Sequence, residues 1–401
     1  MRISTNTSFL QGAYGISNQQ SLMSQLNVQL TTMKRVNTPS DDPVAAARIL
    51  DISQSDARNS QFIANTQAAD SSLQFSESAL GQMTELLHQT KELVVQAGNG
   101  AMAPENLQQM GAVFQKKLEE MVAVANGTDA SGKYLFSGTK SDTPPYSMTG
   151  TWPDITITYS GNDGQKSLAI SDTRQIAISE PGSSIFGTGT DSAGSFFEVM
   201  GRFANVLQKG PAGAPYLEST PAGAVTSTPL NGTTEDATLK EWLGNMDKSG
   251  GLKISGDAPD HFSPSLPAGY QISPPPPLPA KPVILDPAGN STGIEVTLPN
   301  AGESVIVRSY SGELAHVMDG VDAGLQSVLT AQASVGSRRL EADNAGKLGE
   351  DLSLVYAKTR SNLEDLDIPK AASDLAMAQM ALQASQLSFS KVQGMSLFNY
   401  I

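Results

Sequence analysis

The chain has 401 residues, no cysteine and a formal charge of −14. The missing thiols exclude disulfide frameworks, thiolate metal sites and cysteine nucleophiles, and the acidic balance argues against a nucleic-acid partner. Hydrophobic residues make up 39% and aromatics 6%, lean for a compact enzyme, and no run approaches the roughly 18 apolar residues of a membrane span.

Residues 1–12 are polar, with Ile3, Phe9 and Leu10 as candidate anchors. A helix is predicted over 13–36, where Ile16, Met23, Leu26, Leu30 and Met33 recur at helical spacing. Its flank is Gln, Asn, Ser and Thr, and no acidic residue precedes Asp41. Asn37-Thr38-Pro39-Ser40-Asp41-Asp42-Pro43 ends it; Asp42 suits the next N-cap and Pro43 the first helical turn. The second helix is predicted over 44–95, with the seam Leu73, Leu80, Leu87 and Val94, and Met83 between. At about 75 Å if unbroken, it reads as part of a coiled coil, with Asn59-Ser60 or Gly81 as candidate kinks. A third helix, from Pro104 to about Ala125, carries Leu107, Met110, Phe114, Leu118 and Met121 and folds back antiparallel after the Ala97–Gly100 break. Lys133–Thr139 then reads as a short strand and turn.

The middle differs. Ile155–Tyr159 alternates and meets Ser160–Gly164, which reads as a hairpin turn leading to strands at Ser167–Ile170 and Gln175–Ser179. Short helices are predicted at Phe196–Leu207 and Glu235–Met246, and strands at Pro282–Leu285, Gly293–Leu298 and Glu303–Arg308. Residues 211–287 hold fourteen of the 23 prolines, which marks extended, loop-rich chain. Helix returns near Gly312 with Leu314, Val317, Val321, Leu325, Val328 and Leu329, and continues through Leu348, Leu352, Val355 and Leu363. Leu366–Pro369 breaks it. The last helix places Leu375, Leu382 and Phe389 seven apart beside Met380, Ala384 and Leu387, and from Pro369 onward only Lys370, Asp374 and Lys391 are charged. Matched, charge-poor helices at both ends of one chain are expected to pair.

The fold class is therefore α+β: an elongated multi-helix coiled-coil bundle formed by the N- and C-terminal regions, with an inserted mostly β domain. The expected divisions are a terminal helix over 1–42, helical rod over 43–145, β insertion over 146–305, helical rod over 306–367 and a terminal helix over 368–401. The residues expected to pack the terminal helices in an assembly are Ile16, Met23, Leu26, Leu30, Met33, Leu375, Leu382, Leu387, Phe389 and Val392. Amides and hydroxyls on such helices bond between neighbours at lower desolvation cost than charges. Alone, the ends have little to bury and are expected to be poorly ordered before assembly.

Catalytic chemistry has no foothold. His88, His261 and His316 form no His-Glu-x-x-His motif, and there is no GxGxxG, P-loop or GxSxG stretch. No catalytic, cofactor-binding or metal residue is assigned, and no cofactor is expected. His88 reads as a helix-surface histidine. Arg338 and Arg339 have Glu341 and Asp343 within reach along their own helix, or carboxylates of a neighbouring chain. The opening lacks the apolar core of a Sec signal.

Several segments together resemble the flagellin and hook-associated family. These are Met1–Thr5, Asn37–Ala47 (NTPSDDPVAAA), Lys133–Lys140 (KYLFSGTK), Ala333–Arg338 (ASVGSR) and the ending Leu397–Ile401. They cover about 1–145 and 305–401, and the resemblance is strongest to members joining hook and filament. It implies a secreted, non-enzymatic axial component of the bacterial flagellum, exported unfolded by the type III apparatus and self-assembling into a ring. The implied partners are hook-associated protein 1 below, flagellin above and an export chaperone on the C-terminal helix; the chaperone residues implied are Leu382, Leu387, Phe389 and Met395. A flagellin-type filament subunit is the alternative within the family. A secreted coiled-coil adhesin with a β head is the alternative outside it, and would call for a Sec signal or an anchor.

Overall fold

The computed structural model describes residues 5–99, 102–189, 195–211, 216–220, 230–231, 236–246, 251–255, 262–263, 266–273, 283–296 and 304–394. Ile3, His261, the Pro274–Pro282 tract, Met395 and the Leu397–Ile401 ending lie outside them, as does the side chain of Val392.

The chain begins with α1 (Thr5–Thr32), α2 (Pro43–Ala97) and α3 (Pro104–Ala125) and ends with α7 (Tyr310–Glu364) and α8 (Ile368–Gly394). Helix α1 starts earlier than its apolar spacing predicts, because nothing in Thr5–Ala13 breaks a helix. It ends by Thr32 because Met33 turns left-handed at φ 57°, which closes the last turn. Helix α2 is unbroken through Asn59, Ser60 and Gly81. Pro43 opens it, and the Asp42 carboxylate accepts the Ala45 amide at 3.0 Å, as a cap should.

Two compact units make up the chain: Met1–Gln67 with Ile170–Thr173 and Asp343–Ile401, and Ala68–Ala169 with Arg174–Ala342. In the second unit the α2 seam is fully inside: Leu73, Leu80, Met83, Leu87 and Val94 are all buried. So are Leu107, Phe114, Leu118 and Met121 of α3, and Val317, Val321 and Val328 of α7. Each such side chain contributes about 1.5–3 kcal/mol by leaving water. Within this unit α2 and α7 run antiparallel, since Lys91 pairs with Asp322, Arg339 with Asp70 and Glu77, and the Tyr310 hydroxyl donates to the Ala97 carbonyl. Arg339 and Arg338 thus bond neither Glu341 nor Asp343. Arg338 is drawn to Glu180, while Glu341 is held by Arg174. The partners come from elements distant in sequence, which spacing along one helix does not reveal.

The β part departs from expectation in two places. Lys133–Thr139 is not a strand. It makes one isolated bridge, Tyr134 to Thr128, and then bends, because Leu135 and Phe136 are both drawn into the core where an alternating strand would turn one outward. Ser160–Gly164 is not a hairpin turn. Strand β2 (Asp154–Tyr159) pairs instead with the preceding β1 (Tyr146–Thr151), in the register Tyr146↔Tyr159 to Thr151↔Asp154. The turn is Trp152-Pro153, joined by a cis peptide bond. Strands β3 (Ser167–Ala169) and β4 (Gln175–Ala177) form their own pair.

Beyond these lie α4 (Gly182–Phe186) and α5 (Phe196–Lys209). Rings of Phe136, Tyr146, Phe186, Phe196 and Phe197 meet at centroid distances of 4.8–6.2 Å. The chain then forms β5 (Tyr216–Thr220), β6 (Leu230–Asn231), α6 (Ala237–Met246), β7 (Leu252–Ser255), β8 (Phe262–Ser263), β9 (Gln271–Ser273), β10 (Val283–Leu285), β11 (Ser291–Val296) and β12 (Ser304–Arg308). Two antiparallel four-stranded sheets result, ordered β6-β11-β10-β9 and β5-β12-β7-β8. Inward residues of both sheets, including Ile254, Ile284, Val296 and Val305, share one buried cluster with Leu239 and Met246 of α6. The insertion thus has a core of its own.

Candidate assembly interface

In the first unit the burial pattern changes. Among the described residues, its buried apolar side chains are few and mostly small: Leu26, Val36, Ala45, Ala371 and Ala378. Helices α2 and α7 approach through bonds and small groups here. Asn59 Nδ2 donates to the Gly349 carbonyl at 2.6 Å, Ser353 donates to Asp56 at 2.8 Å, and Gly346 admits the Thr66 side chain. Of the α7 seam predicted beyond Arg339, Leu348, Leu352 and Val355 are exposed, at i, i+4 and i+7, and Leu363 is half-buried. Most of the exposed large apolar side chains of the described chain belong to this unit. That leaves an apolar stripe in water at helical spacing.

The terminal helices do pair. Gln19 Nε2 donates to the Ala378 carbonyl at 3.3 Å, and Gly12 lies against the Phe389 ring. Of the residues named for terminal packing, Leu26 is buried, and Ile16, Met23, Leu30, Leu375, Leu382 and Phe389 are half-buried; Met33 and Leu387 are exposed. Single-chain pairing therefore leaves the seam incomplete. Helix α1 carries no charged residue at all, so neither repulsion nor ion desolvation opposes covering its outer face.

Where the two terminal helices leave the rest of the unit, their connections are tied together. The Arg35 amide donates to the Glu364 carbonyl at 2.6 Å and the Leu366 amide to the Met33 carbonyl at 3.0 Å, around the antiparallel bridge Lys34↔Asp365. Arg35 Nη2 donates to the Leu363 carbonyl at 2.7 Å and Nη1 to Asp42 at 3.0 Å. Lys34 pairs with Glu364. Asp41 accepts the Thr38 and Asn37 amides at 2.8 and 3.0 Å; those bonds hold its carboxyl below the usual carboxylate range. The Ala45 amide and Arg35 do the same for Asp42. Sequence reasoning found Asp42 as a cap and missed Lys34, Arg35 and Glu364. The available signal was that Lys34-Arg35 are the first charges after a long uncharged run.

A model described as the bacterial flagellin N-terminal helical region matches residues 3–141. Flagellar hook-associated protein 3 of Salmonella typhimurium is 26% identical over 399 residues, spanning 99% of this chain and 99% of its own. Flagellin B of Helicobacter pylori is 29% identical over 142 residues, 35% of this chain and 27% of its own. A solved structure of a putative flagellar hook-associated protein from Vibrio parahaemolyticus shares the fold, with a TM-score of 0.50 at 14% identity, covering 81% of this chain and 100% of the other. The chain is thus similar to flagellin and hook-associated proteins.

One segment on which the sequence resemblance rests has a physical reason in the fold. In Lys133–Lys140, Gly138 sits at φ 69°, and a Cβ there would lie 2.1 Å from the Asn162 carbonyl oxygen. Asn162 Oδ1 accepts the Thr139 amide at 2.8 Å, so the bend docks on the loop after β2 and only glycine fits. Gly138→Ala is expected to lower the stability of the second unit by roughly 3 kcal/mol through combined clash and backbone strain, read as an earlier urea midpoint with unchanged slope. In α7, Gly320 and Gly324 admit Val199 and Phe196 of α5, a closer approach than any side chain would allow.

At the base of β5 and β12 lies a buried ion cluster. Arg202 Nη2 meets Glu313 Oε2 at 2.6 Å, Arg308 Nη1 meets Glu218 Oε2 at 2.6 Å, and Arg308 Nη1 meets Glu313 Oε2 at 3.7 Å. Burial pushes the Glu218 carboxyl up, but the close guanidinium groups of Arg308 and Arg202 more than reverse this. Burial and the same two arginines lower His316, so at neutral pH its imidazole faces Glu218 uncharged. Opposite charges face one another across α5, β5, β12 and α7, which ties these elements together. Among the described residues no helix is long and apolar enough to cross a membrane, and no group of His, Asp and Glu gathers as metal ligands.

Proposed function

We propose that the chain is a structural, non-enzymatic component of the bacterial flagellum that joins hook to filament outside the cell. The observation that carries this is the extent of similarity: hook-associated protein 3 matches from end to end, whereas flagellin B matches about a third of the chain. A filament-subunit reading leaves the other two thirds unaccounted for. In this reading the first unit is the assembly surface, with α1 and α8 innermost and completed by neighbouring copies in a ring. The half-buried seam, the exposed Leu348–Leu352–Val355 stripe and the uncharged α1 support it.

The finer partners follow from the same reading: hook-associated protein 1 on one side, flagellin on the other, and before assembly an export chaperone over Leu382, Leu387 and Phe389 of α8 and the following Met395. The half-buried Leu382 and Phe389 and the exposed Leu387 offer an apolar surface of the kind an amphipathic-helix groove accepts. In a strain lacking the flagellar type III export apparatus, the full-length protein is expected to stay wholly inside the cell, while the wild type places it in the flagellar fraction. Export unimpaired in that strain would refute the reading.

A further inference from the structure

Helix α3 ends on a side chain that imitates a strand. Asn126 is its C-cap residue, at φ −94° and ψ 19°. The Asn126 Nδ2 donates to the Tyr146 carbonyl at 2.8 Å, and its Oδ1 accepts the Tyr146 amide at 2.8 Å. One primary amide thus makes with Tyr146 the double exchange that two residues make across an antiparallel ladder. What it holds is the first residue of β1. Tyr146 is 2% exposed, its ring lies 4.8 Å from that of Phe197, and its hydroxyl donates to the Gly187 carbonyl at 2.8 Å. The residue after Asn126 is Gly127. Asparagine is chemically labile, and most so before glycine, where no side chain shields the next backbone nitrogen and the chain turns freely.

We propose that Asn126 is a deamidation site that the fold holds closed, and that its conversion in the unfolded chain denies β1 its mooring. In the reaction the Gly127 nitrogen bonds to Asn126 Cγ and gives up its proton, and ammonia leaves from Cγ. Water then opens the cyclic imide to aspartate or isoaspartate, with no change of oxidation state. The folded chain opposes the first step at both reacting atoms. The Gly127 amide is spent on the Val124 carbonyl at 3.0 Å, and the Asn126 amide on the Val122 carbonyl at 2.9 Å, which keeps the backbone near-helical. Turning Cγ toward the Gly127 nitrogen breaks the bonds to Tyr146. Once converted, the side chain is an acceptor only. An oxygen then stands where Nδ2 donated, facing the Tyr146 carbonyl with no proton between them. Isoaspartate also lengthens the main chain ahead of Gly127, whose carbonyl accepts the Leu135 amide at 2.9 Å. Both products therefore disturb the join of α3, β1 and the buried Leu135–Phe136 bend.

The chemistry does not depend on what the chain assembles with, so the test needs no flagellum. The purified full-length protein is kept at mildly alkaline pH, either folded or unfolded in guanidinium chloride, and digested with trypsin at intervals. Lys117 and Lys133 bound the peptide that carries Asn126, and Asn99-Gly100 lies in a separate peptide ending at Lys116. Mass spectrometry of the two peptides gives both rates, with Asn99 reporting the same dipeptide in the same unfolded chain. In denaturant the two sites are expected to convert at rates within about threefold of each other, whereas folding slows Asn126 at least about tenfold, because reaction then waits on local opening. Separately, Asn126→Asp, one product made genetically, is expected to lower the urea midpoint of the second unit. The rate comparison uses the unaltered chain and stands even where that variant does not fold. A folded rate at Asn126 within about threefold of its unfolded rate overturns the proposal. So does an unfolded chain that converts Asn99 and spares Asn126, or an Asn126→Asp protein with the midpoint of the original.

Discussion

Deleting residues 370–401 is expected to abolish incorporation into the hook–filament junction while leaving the second unit folded. The removed segment is nearly all of α8, whose contacts are with α1 in the first unit. The apolar clusters of the second unit involve none of it: the α2–α3–α7 seam, the aromatic cluster and the two-sheet core are complete without it. Thermal unfolding of the truncated protein should therefore retain the main transition. Incorporation, measured as the protein recovered with purified hook–filament structures, should fall to background. A truncated chain that still builds junctions would mean that the terminal helices are not the completing surface.

The second large effect is expected at Glu313. Its side chain is 2% exposed and is shared by Arg202 and Arg308, whose side chains are 11% and 6% exposed. Replacing Glu313 by alanine removes the anion and leaves two buried guanidinium groups leaning on Glu218 and Glu198. Breaking a buried pair from one side costs about 3–5 kcal/mol, because the remaining charge stays out of water without compensation. The loss should appear as a lower urea midpoint for the second unit. Removing Arg202 in the same chain, as Arg202→Met, should recover part of it, since the uncompensated cation goes too. Equal losses in the single and double variants would assign the cost to the α7 N-terminus, where Glu313 lies in the first turn, instead of to the cluster.

Both effects turn on where helices meet, and the sequence spoke to that unevenly. It revealed the helices themselves, the pairing of the two ends and the interruption by strands, because period-3.6 apolar spacing and breakers such as Pro43 and the Leu366–Pro369 step are local properties. The seam of α2 was legible for the same reason: Leu73, Leu80, Leu87 and Val94 are buried wherever a second helix lies beside them. Leu348, Leu352 and Val355 also fall on one helical face yet lie exposed, since periodicity states which face is apolar and not whether the chain supplies a cover.

What the tertiary structure decided is non-local. Lys133–Thr139 looked like a strand because its residues have strand propensity, but Leu135 and Phe136 both point inward once α2 and α3 set the core, and β-propensity yields to packing. Tyr146–Thr151 gave little strand signal and became the partner of β2 because the Trp152-Pro153 turn placed it there. Arg338, Arg339 and Arg35 each carry a charge whose partner lies on another element, and no spacing rule spans the 158 residues between Arg338 and Glu180 or the 328 between Arg35 and Leu363. Local periodicity is written into the order of residues, whereas the choice among equivalent partners is made only when the chain's distant parts come within a few ångströms of each other.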